Sequence, residues 1–373
     1  MANGNKPGQL SPTEFLAKKH FDQGEKYFTG EGVPVDFNKA VANYAQSAKL
    51  GYAPAIFSLG VCYIRGLGVK PDENRAYELI KQAADLGNVD AQFTLGHFYF
   101  EGSVVERDYD KAVKIFQDAA DKGHPGGLND LGFCYQRGLG VEQDYEKAFD
   151  CFYNAAQADF AAAQNNVGDC YNFGRGVEAD GEKAYLYYYR AAQNGYAIAQ
   201  NNVGMCYLNG RGVKVDPVQA VHWFEEASKQ GNPVAVANLG FCYESGRGVE
   251  KDVERAVQLY TMAADANSAP GQFNLAKCLR DGNGTKADPE RAFSLFKRSA
   301  EQQFPIAYAE LAACYEKGIG TRPDPELAKK YYAMSEEAGY GGAPKEEGAQ
   351  PAEPEKPTKP KKTTKSAKPK KEE

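Results

Sequence analysis

The stretch AIAQNNVGMCYLNGRGVKVDPVQA, residues 197–220, is one copy of a unit that recurs every 36 residues along the chain. Its dipeptide Val203-Gly204 belongs to the series Leu59-Gly60, Leu95-Gly96, Leu131-Gly132, Val167-Gly168, Leu239-Gly240, Leu275-Ala276 and Leu311-Ala312. The glycine of this dipeptide has one earlier counterpart, Gly24, which lies 36 residues before Gly60. An internal repeat of this length is typical of stacked helical hairpins. The sequence therefore predicts nine units between residues 11 and 340, without an insertion or a deletion.

Three positions of the unit hold the same residue type in all nine copies. Gly210 marks the first, and glycine suits a helix C-terminus because it tolerates positive φ. Asp216 marks the second, at the N-cap of the next helix, and proline follows the aspartate in three copies. Ala220 marks the third, where a methyl group lets two helices approach closely. Each unit predicts a helix A, a glycine turn and a helix B, for example Ala53–Arg65 and Asp72–Leu86.

The apolar pattern predicts which side of helix A is buried. At 100° per residue, Ala55, Leu59 and Cys62 fall on one side of the second helix A, while positions 54, 57, 58, 61, 64 and 65 fall on the other. A single hairpin cannot bury its apolar side alone, so neighbouring hairpins must stack. The sequence predicts one all-α solenoid over residues 11–340, opened by a capping box at Ser11 and Glu14.

Both ends of the chain differ from the repeats. Residues 1–10 are predicted to form a flexible N-terminus. Residues 341–373 contain nine Lys and six Glu and carry a net charge of +3, whereas the full chain carries −6. Without aromatic residues this tail buries too little apolar surface to offset the entropy of ordering it, so we predict that it is disordered. The chain has no long apolar run and no signal-like N-terminus, and we expect a cytoplasmic protein, with a nuclear location open only in a nucleated cell.

Cysteine, histidine and glycine carry no predicted chemistry. Seven of the eight cysteines occupy one core position of helix A, where they act as small buried hydrophobic residues: Cys62, Cys134, Cys170, Cys206, Cys242, Cys278 and Cys314. The four histidines lack the spacing of a metal site, and no glycine turn continues into the Gly-Lys-Ser/Thr of a phosphate loop. We therefore predict no catalytic residue, no metal and no cofactor, and not an enzyme.

The copy at residues 197–220 resembles the Sel-one-like repeat (SLR) family, a 36-residue relative of the tetratricopeptide repeat. The resemblance covers roughly 330 of the 373 residues. Val104 departs from the second turn glycine, and Asp159, Asn267 and Gln303 depart from the glycine between units. The resemblance implies a right-handed superhelical α-solenoid that acts as a non-enzymatic scaffold or adaptor, with helices A lining its concave groove.

A secreted branch of the same family has two cysteines per repeat and is reported to bind or hydrolyse penicillins. This sequence lacks the second cysteine. A penicillin-acting hydrolase is therefore the least supported of three functional alternatives.

Two sets of residues stand on the groove side of helix A. A polar row consists of Asp130, Asn166, Asn202, Asn238 and Asn274, with Asn129, Asn165 and Asn201 beside it. Asparagine is a poor helix former, so its recurrence needs a reason. These amides either bind the backbone of an extended partner segment or form a structural ladder between neighbouring helices, and the sequence leaves both open.

The apolar set consists of Phe21, Phe57, Phe93, Phe28 and Phe100. If these rings are exposed, they predict a hydrophobic pocket in the first three units. If the stacking is tight, neighbouring units cover them. Partner-binding residues are predicted from both sets, with a protein or peptide as the partner.

Two further contacts are predicted at the C-terminal end. The last helix B has no following helix A to cover it, which favours self-association through that helix. Residues 356–371 contain eight lysines and no acid, so a weak contact with nucleic acid or an acidic surface is the alternative function.

Overall fold

A computed structural model describes residues 10–340, and within this range every regular element is an α-helix. The predicted flexible N-terminus and disordered tail fall almost entirely on residues 1–9 and 341–373, outside the described residues. The tail-borne contact with nucleic acid or an acidic surface also depends on residues outside this range.

Eighteen helices form nine hairpins, as the repeat predicts. In chain order they are α1 (Pro12–Thr29), α2 (Phe37–Lys49), α3 (Ala53–Arg65), α4 (Glu73–Asp85), α5 (Val89–Glu101), α6 (Tyr109–Asp121), α7 (Pro125–Arg137), α8 (Tyr145–Gln157), α9 (Ala161–Phe173), α10 (Gly181–Gln193), α11 (Ala197–Asn209), α12 (Pro217–Lys229), α13 (Pro233–Ser245), α14 (Val253–Asp265), α15 (Ala269–Asp281), α16 (Pro289–Glu301), α17 (Pro305–Lys317) and α18 (Pro325–Glu337). Odd-numbered helices are helices A and even-numbered ones are helices B. The all-α hairpin fold is confirmed.

The described residues divide into two compact units, and the division falls within α9. The N unit contains residues 10–167 and 175–177, and the C unit contains residues 168–174 and 178–340. In each unit, helix A packs against helix B of its own hairpin, and helix B packs against helix A of the next hairpin. Each unit is therefore a stack of helical hairpins.

Local sequence signals set the helix ends. Asp36 accepts a hydrogen bond from the backbone N–H of Lys39 at 3.0 Å, and the N-cap aspartates of the other helices B act in the same way. The glycines that end helices A have φ between 65° and 82°. Ser11 and Glu14 form both hydrogen bonds of a capping box, at 2.8 and 3.2 Å. These predictions are confirmed.

The departures from the repeat change the turns in two ways. Asp159, Asn267 and Gln303 keep the left-handed conformation of the glycine they replace, with φ of 54°, 59° and 59°. Val104 is not among the positive-φ residues of the described range. It packs with Val105 against the core of the N unit instead. In the third turn, valine therefore replaces a glycine of positive φ and adds an apolar contact.

The cysteines lie where the pattern predicts. All seven in helix A are buried, with at most 4% exposure, and Cys151 in α8 is half-buried. All eight are free thiols. Burial raises the pKa of the Cys62 thiol to about 11 and that of the Cys134 thiol to about 12. These thiols are packing residues, since thiolate is required for reactivity.

Candidate functional site

The amide row forms hydrogen bonds from one helix A to the next. In the N unit, Asn166 Nδ2 donates to Asn129 Oδ1 at 2.9 Å. In the C unit, Asn238 Nδ2 donates to Asn201 Oδ1 at 2.8 Å. Asn201 and Asn238 are only 8% and 7% exposed, and Asn165 is buried as well. For these amides the contacts favour the structural ladder that the sequence left open.

Asn274 differs from the other members of the row. The position that would receive its bond is occupied by Ala237, which has no acceptor side chain. Asn274 is half-exposed and forms no side-chain hydrogen bond with any residue in the described range. Its amide is consequently available to a partner. Asn202 is also half-exposed.

The first residue of the row, Asp130, is an aspartate, whereas the later members are asparagines. It accepts a hydrogen bond from Asn129 at 2.9 Å and pairs with His97 Nε2 at 2.9 Å. A second pair joins His124 Nε2 to Asp90 at 3.3 Å. Both pairs connect α5 to the α7 end of the next hairpin. Sequence reasoning missed them because each histidine lies 33 or 34 positions from its carboxylate along the chain.

The His97 pair affects proton binding. Burial lowers the pKa of His97, but the hydrogen bond that His97 donates to Asp130 and the charges of Asp130 and Glu101 outweigh it. The net pKa of His97 therefore lies above its ordinary value. No group of side chains within residues 10–340 is arranged to hold a metal ion.

The five phenylalanines are half-buried. Phe21 and Phe28 contact Tyr44 at ring distances of 5.9 and 6.3 Å, and Phe57 packs against the core of the N unit. Phe100 contacts Tyr109 at 5.3 Å. These contacts favour cover by neighbouring helices over an open pocket.

Phe93 shows how that cover works. Its ring lies 4.8 Å from His97 and 4.5 Å from His124. It also covers the start of α7, where a Cβ added to Gly126 would meet the ring at 2.9 Å. The Phe93 ring is accommodated at this place because Gly126 has no side chain.

The C unit carries an apolar row that sequence reasoning missed. It contains one residue near the start of each helix A from α11 to α17: Ile198, Val234, Pro270 and Ile306. Ile198 is 48% exposed and Val234 is 38% exposed, while Pro270 and Ile306 are half-buried. The signal was present, because these residues recur every 36 positions at a helix A position outside the predicted core set. Ile306 nevertheless packs against the core of the C unit.

The exposure of Val234 has a local cause. Asn201 lies 33 residues before Val234, and Phe93 lies 33 residues before Gly126. The two pairs therefore occupy equivalent positions in different hairpins. Because Asn201 is short and bonded to Asn238, it leaves Val234 open. Phe273 holds the same position before Ile306, and Ile306 is half-buried.

At the C-terminal end of the C unit, the polar row ends in a buried ion pair. Glu310, at the position of the row in α17, is buried and pairs with Arg280 of α15, which also pairs with Asp281 at 2.7 Å. Lys277, one turn from Asn274, lies 5.9 Å from the Phe273 ring and forms no ion pair with a described residue. Asn274 and Lys277 are therefore two polar groups of α15 without a hydrogen-bond or ion-pair partner among the described residues.

The last helix is partly closed. Ser335 donates a hydrogen bond to the Tyr340 carbonyl at 2.6 Å, and the Tyr331 ring stacks on Tyr315 at 5.9 Å. Glu336 stands where the other helices B carry alanine or serine. Self-association through α18 stays a prediction.

None of the helices within residues 10–340 combines the length and the apolar character needed to cross a membrane. A cytoplasmic location stays a prediction.

Comparison with known proteins identifies the repeat. The Sel1 repeat family matches nine consecutive segments, residues 24–52, 53–88, 89–124, 125–160, 161–196, 197–232, 233–268, 269–304 and 305–340. None of the curated proteins compared with the chain matches it.

Two solved structures are similar over most of their length. One is a protective antigen of uropathogenic Escherichia coli strains with an SLR fold, which is 28% identical with a TM-score of 0.58. That match covers 88% of this chain and 80% of the antigen. The other is a Sel1 repeat protein from Oxalobacter formigenes, 30% identical with a TM-score of 0.58, covering 70% of this chain and 99% of that one. With nine matched copies over residues 24–340, the chain belongs to the Sel1 repeat family.

Proposed function

We propose that this protein is a non-enzymatic scaffold that binds an extended segment of a partner protein on the helix A side of the C unit. Sel1 and tetratricopeptide-like repeats are typical of protein–protein interaction scaffolds. The observation that carries the proposal is the apolar row beside an unpaired amide. Ile198 and Val234 are exposed at the same helix position, and Asn274 has no partner among the described residues.

The chemistry suits a polypeptide. An extended chain presents both backbone amides and side chains, and it needs hydrogen-bonding groups next to apolar contacts. Asn274 lies one helical turn from Pro270 of the apolar row, so its amide can donate to a backbone carbonyl or accept from a backbone N–H. Large exposed apolar residues aligned in this way mark interaction sites.

The predicted site residues contribute unequally to this proposal. Asn274 and Asn202 are proposed as direct contacts. Asn166, Asn238, Asn165 and Asn201 hold neighbouring helices A in register. The half-buried rings of the N unit, with Phe93 and Phe100 among them, are proposed as a secondary apolar surface.

The test is an affinity pull-down with full-length protein, compared by quantitative mass spectrometry. Val234→Asp places a charge in the row and is expected to weaken binding of a direct partner at least about tenfold, because the charge must be desolvated in the complex. Val218→Asp is the matched control, since Val218 is 63% exposed in α12 and lies outside the row. A partner retained equally by both variants would contradict the proposal. Calorimetry on the identified partner would give the change in affinity.

A further inference from the structure

The apolar row of the C unit has a regular spacing. Its four residues come from four consecutive helices A, and the Asn201–Asn238 bond shows that such helices are in side-chain contact. Packed helices lie about 8–10 Å apart. A ligand that follows the row therefore needs an apolar group at roughly this interval.

A polyproline II segment has this interval. It makes one turn in three residues, which corresponds to about 9.3 Å, so every third side chain lies on the same side. Its backbone forms no internal hydrogen bonds, and its carbonyls are open to donors such as the Asn274 amide. A segment with proline at every third position would present prolines to all four members of the row.

The chain itself contains such a segment. Residues 351–360 read PAEPEKPTKP, with prolines at 351, 354, 357 and 360. The number of prolines equals the number of residues in the row, and their period equals that of the polyproline II turn. We propose that residues 351–360 bind along the apolar row of their own chain and compete there with the partner.

The place where the connecting chain leaves the last hairpin favours one direction. Tyr340 follows α18 in the last hairpin, and Ile306 begins α17 of the same hairpin. Residues 341–350 span at most about 35 Å, which is ample to bring Pro351 to Ile306. The segment then runs back toward Ile198, whereas the opposite direction would require the link to cross the entire row first.

Charge agrees with this direction. With Pro351 at Ile306, the next proline, Pro354, lies at Pro270 of α15. Glu353 and Glu355 flank Pro354. Lys277 of α15 forms no ion pair with a described residue. Its ammonium group can therefore form an ion pair with one of these carboxylates.

The experiment uses the full-length chain and a labelled peptide of residues 349–362, with binding followed by fluorescence anisotropy. In the wild type, the attached segment competes at high effective concentration. A variant with Pro351, Pro354, Pro357 and Pro360 each changed to Ala loses this competitor. We expect it to bind the peptide roughly tenfold more tightly than the wild type does.

Further variants locate the binding. Added to the four-alanine chain, Val234→Asp or Ile198→Asp is expected to abolish peptide binding, whereas Val218→Asp leaves it unchanged. Far-ultraviolet circular dichroism confirms that each variant is folded. A control peptide of the same composition, with prolines moved off the three-residue period, is expected not to bind.

Equal affinity of the wild type and the four-alanine chain, or equal binding of the control peptide, would overturn the inference. The inference rests on the proposed function of the row, and the two can fail separately. If Val234→Asp weakens the partner while no chain binds the peptide, the partner site stands and the tail segment does not occupy it.

Discussion

Phe93 in the N unit and Asn201 in the C unit occupy the same position of helix A and serve different purposes. In the N unit, Phe93 bridges to the next hairpin, and Gly126 leaves room for its ring. In the C unit, Asn201 takes the place of the ring, forms a hydrogen bond with Asn238 and leaves Val234 exposed. One backbone arrangement therefore supports packing in one hairpin and an open surface in another.

The difference depends on the length of a single side chain. Phe93 buries the start of α7 and adds apolar area to the stack. An asparagine supplies only a directional bond, whose net contribution is about 1 kcal/mol. Replacing rings by amides thus gives up some packing and gains accessible apolar residues.

The largest effect is expected where the comparison depends on tight stacking. Gly212 of the C unit has φ of 71°, and a Cβ there would lie 1.8 Å from the carbonyl oxygen of Gly181. Gly212→Ala is expected to lower the free energy of unfolding by about 3–5 kcal/mol, from left-handed strain plus overpacking. Urea denaturation followed by circular dichroism measures it.

Gly32 of the N unit provides the matched control. Its φ is 72°, but no described atom lies within 4 Å of the place that a Cβ would take. Gly32→Ala is expected to cost only the strain, about 1–2 kcal/mol. Equal losses for the two variants would mean that contact between hairpins does not set the cost.

A smaller effect is expected for the side chains that define the two units. Phe93→Ala removes ring contacts with Phe116 and both histidines, and we expect a loss of about 2–3 kcal/mol in stability. Ile198→Ala, at a position that is 48% exposed, is expected to change stability by less than about 0.5 kcal/mol. A large loss for Ile198→Ala in thermal unfolding would contradict the open row.

The amides are expected to separate in the same way. Asn238→Ala leaves the buried Asn201 carbonyl without its donor, which is expected to cost about 1–2 kcal/mol in stability. Asn274→Ala removes an unpaired amide, so stability is expected to stay within about 0.5 kcal/mol while partner affinity falls. Denaturation and calorimetry on the same two proteins measure both quantities. If Asn274→Ala lowered stability and Asn238→Ala lowered only partner affinity, Asn274 would be the structural amide and Asn238 the partner contact.

The smallest effect is a pH dependence confined to the N unit. The pKa of His97 is raised in the folded chain, so its stabilisation is present below the unfolded pKa, near 6.5, and is lost as the pH rises through the folded value. His97→Gln is therefore expected to destabilise more at pH 6 than at pH 8.5. Since the side chain is 39% exposed, the difference should stay below about 1 kcal/mol.

His20→Gln serves as the control, because His20 forms no ion pair with a described residue. Denaturation midpoints at the two pH values give the comparison. A His97→Gln loss that is equal at both pH values would show that the imidazole acts by packing alone.

The sequence predicted which side of helix A carries the site residues, but not the contacts that these residues make. The sequence placed Asn238 and Phe93 on the side of helix A that faces away from the core. It did not show that Asn238 bonds Asn201 or that Phe93 covers Gly126, because both contacts join residues that lie 33 to 37 positions apart in separate hairpins. The apolar row was visible as a period, but its exposure depends on the neighbour in the preceding hairpin.

The sequence alone determined the helices, their ends and the number of hairpins, because N-cap aspartates, left-handed glycines and apolar spacing act within a few residues of one another. The third dimension decided which side chains of the repeated surface are satisfied and which remain open. That outcome depends on the size of the residue one repeat earlier, and a pattern that is identical in every unit carries no information about such a difference.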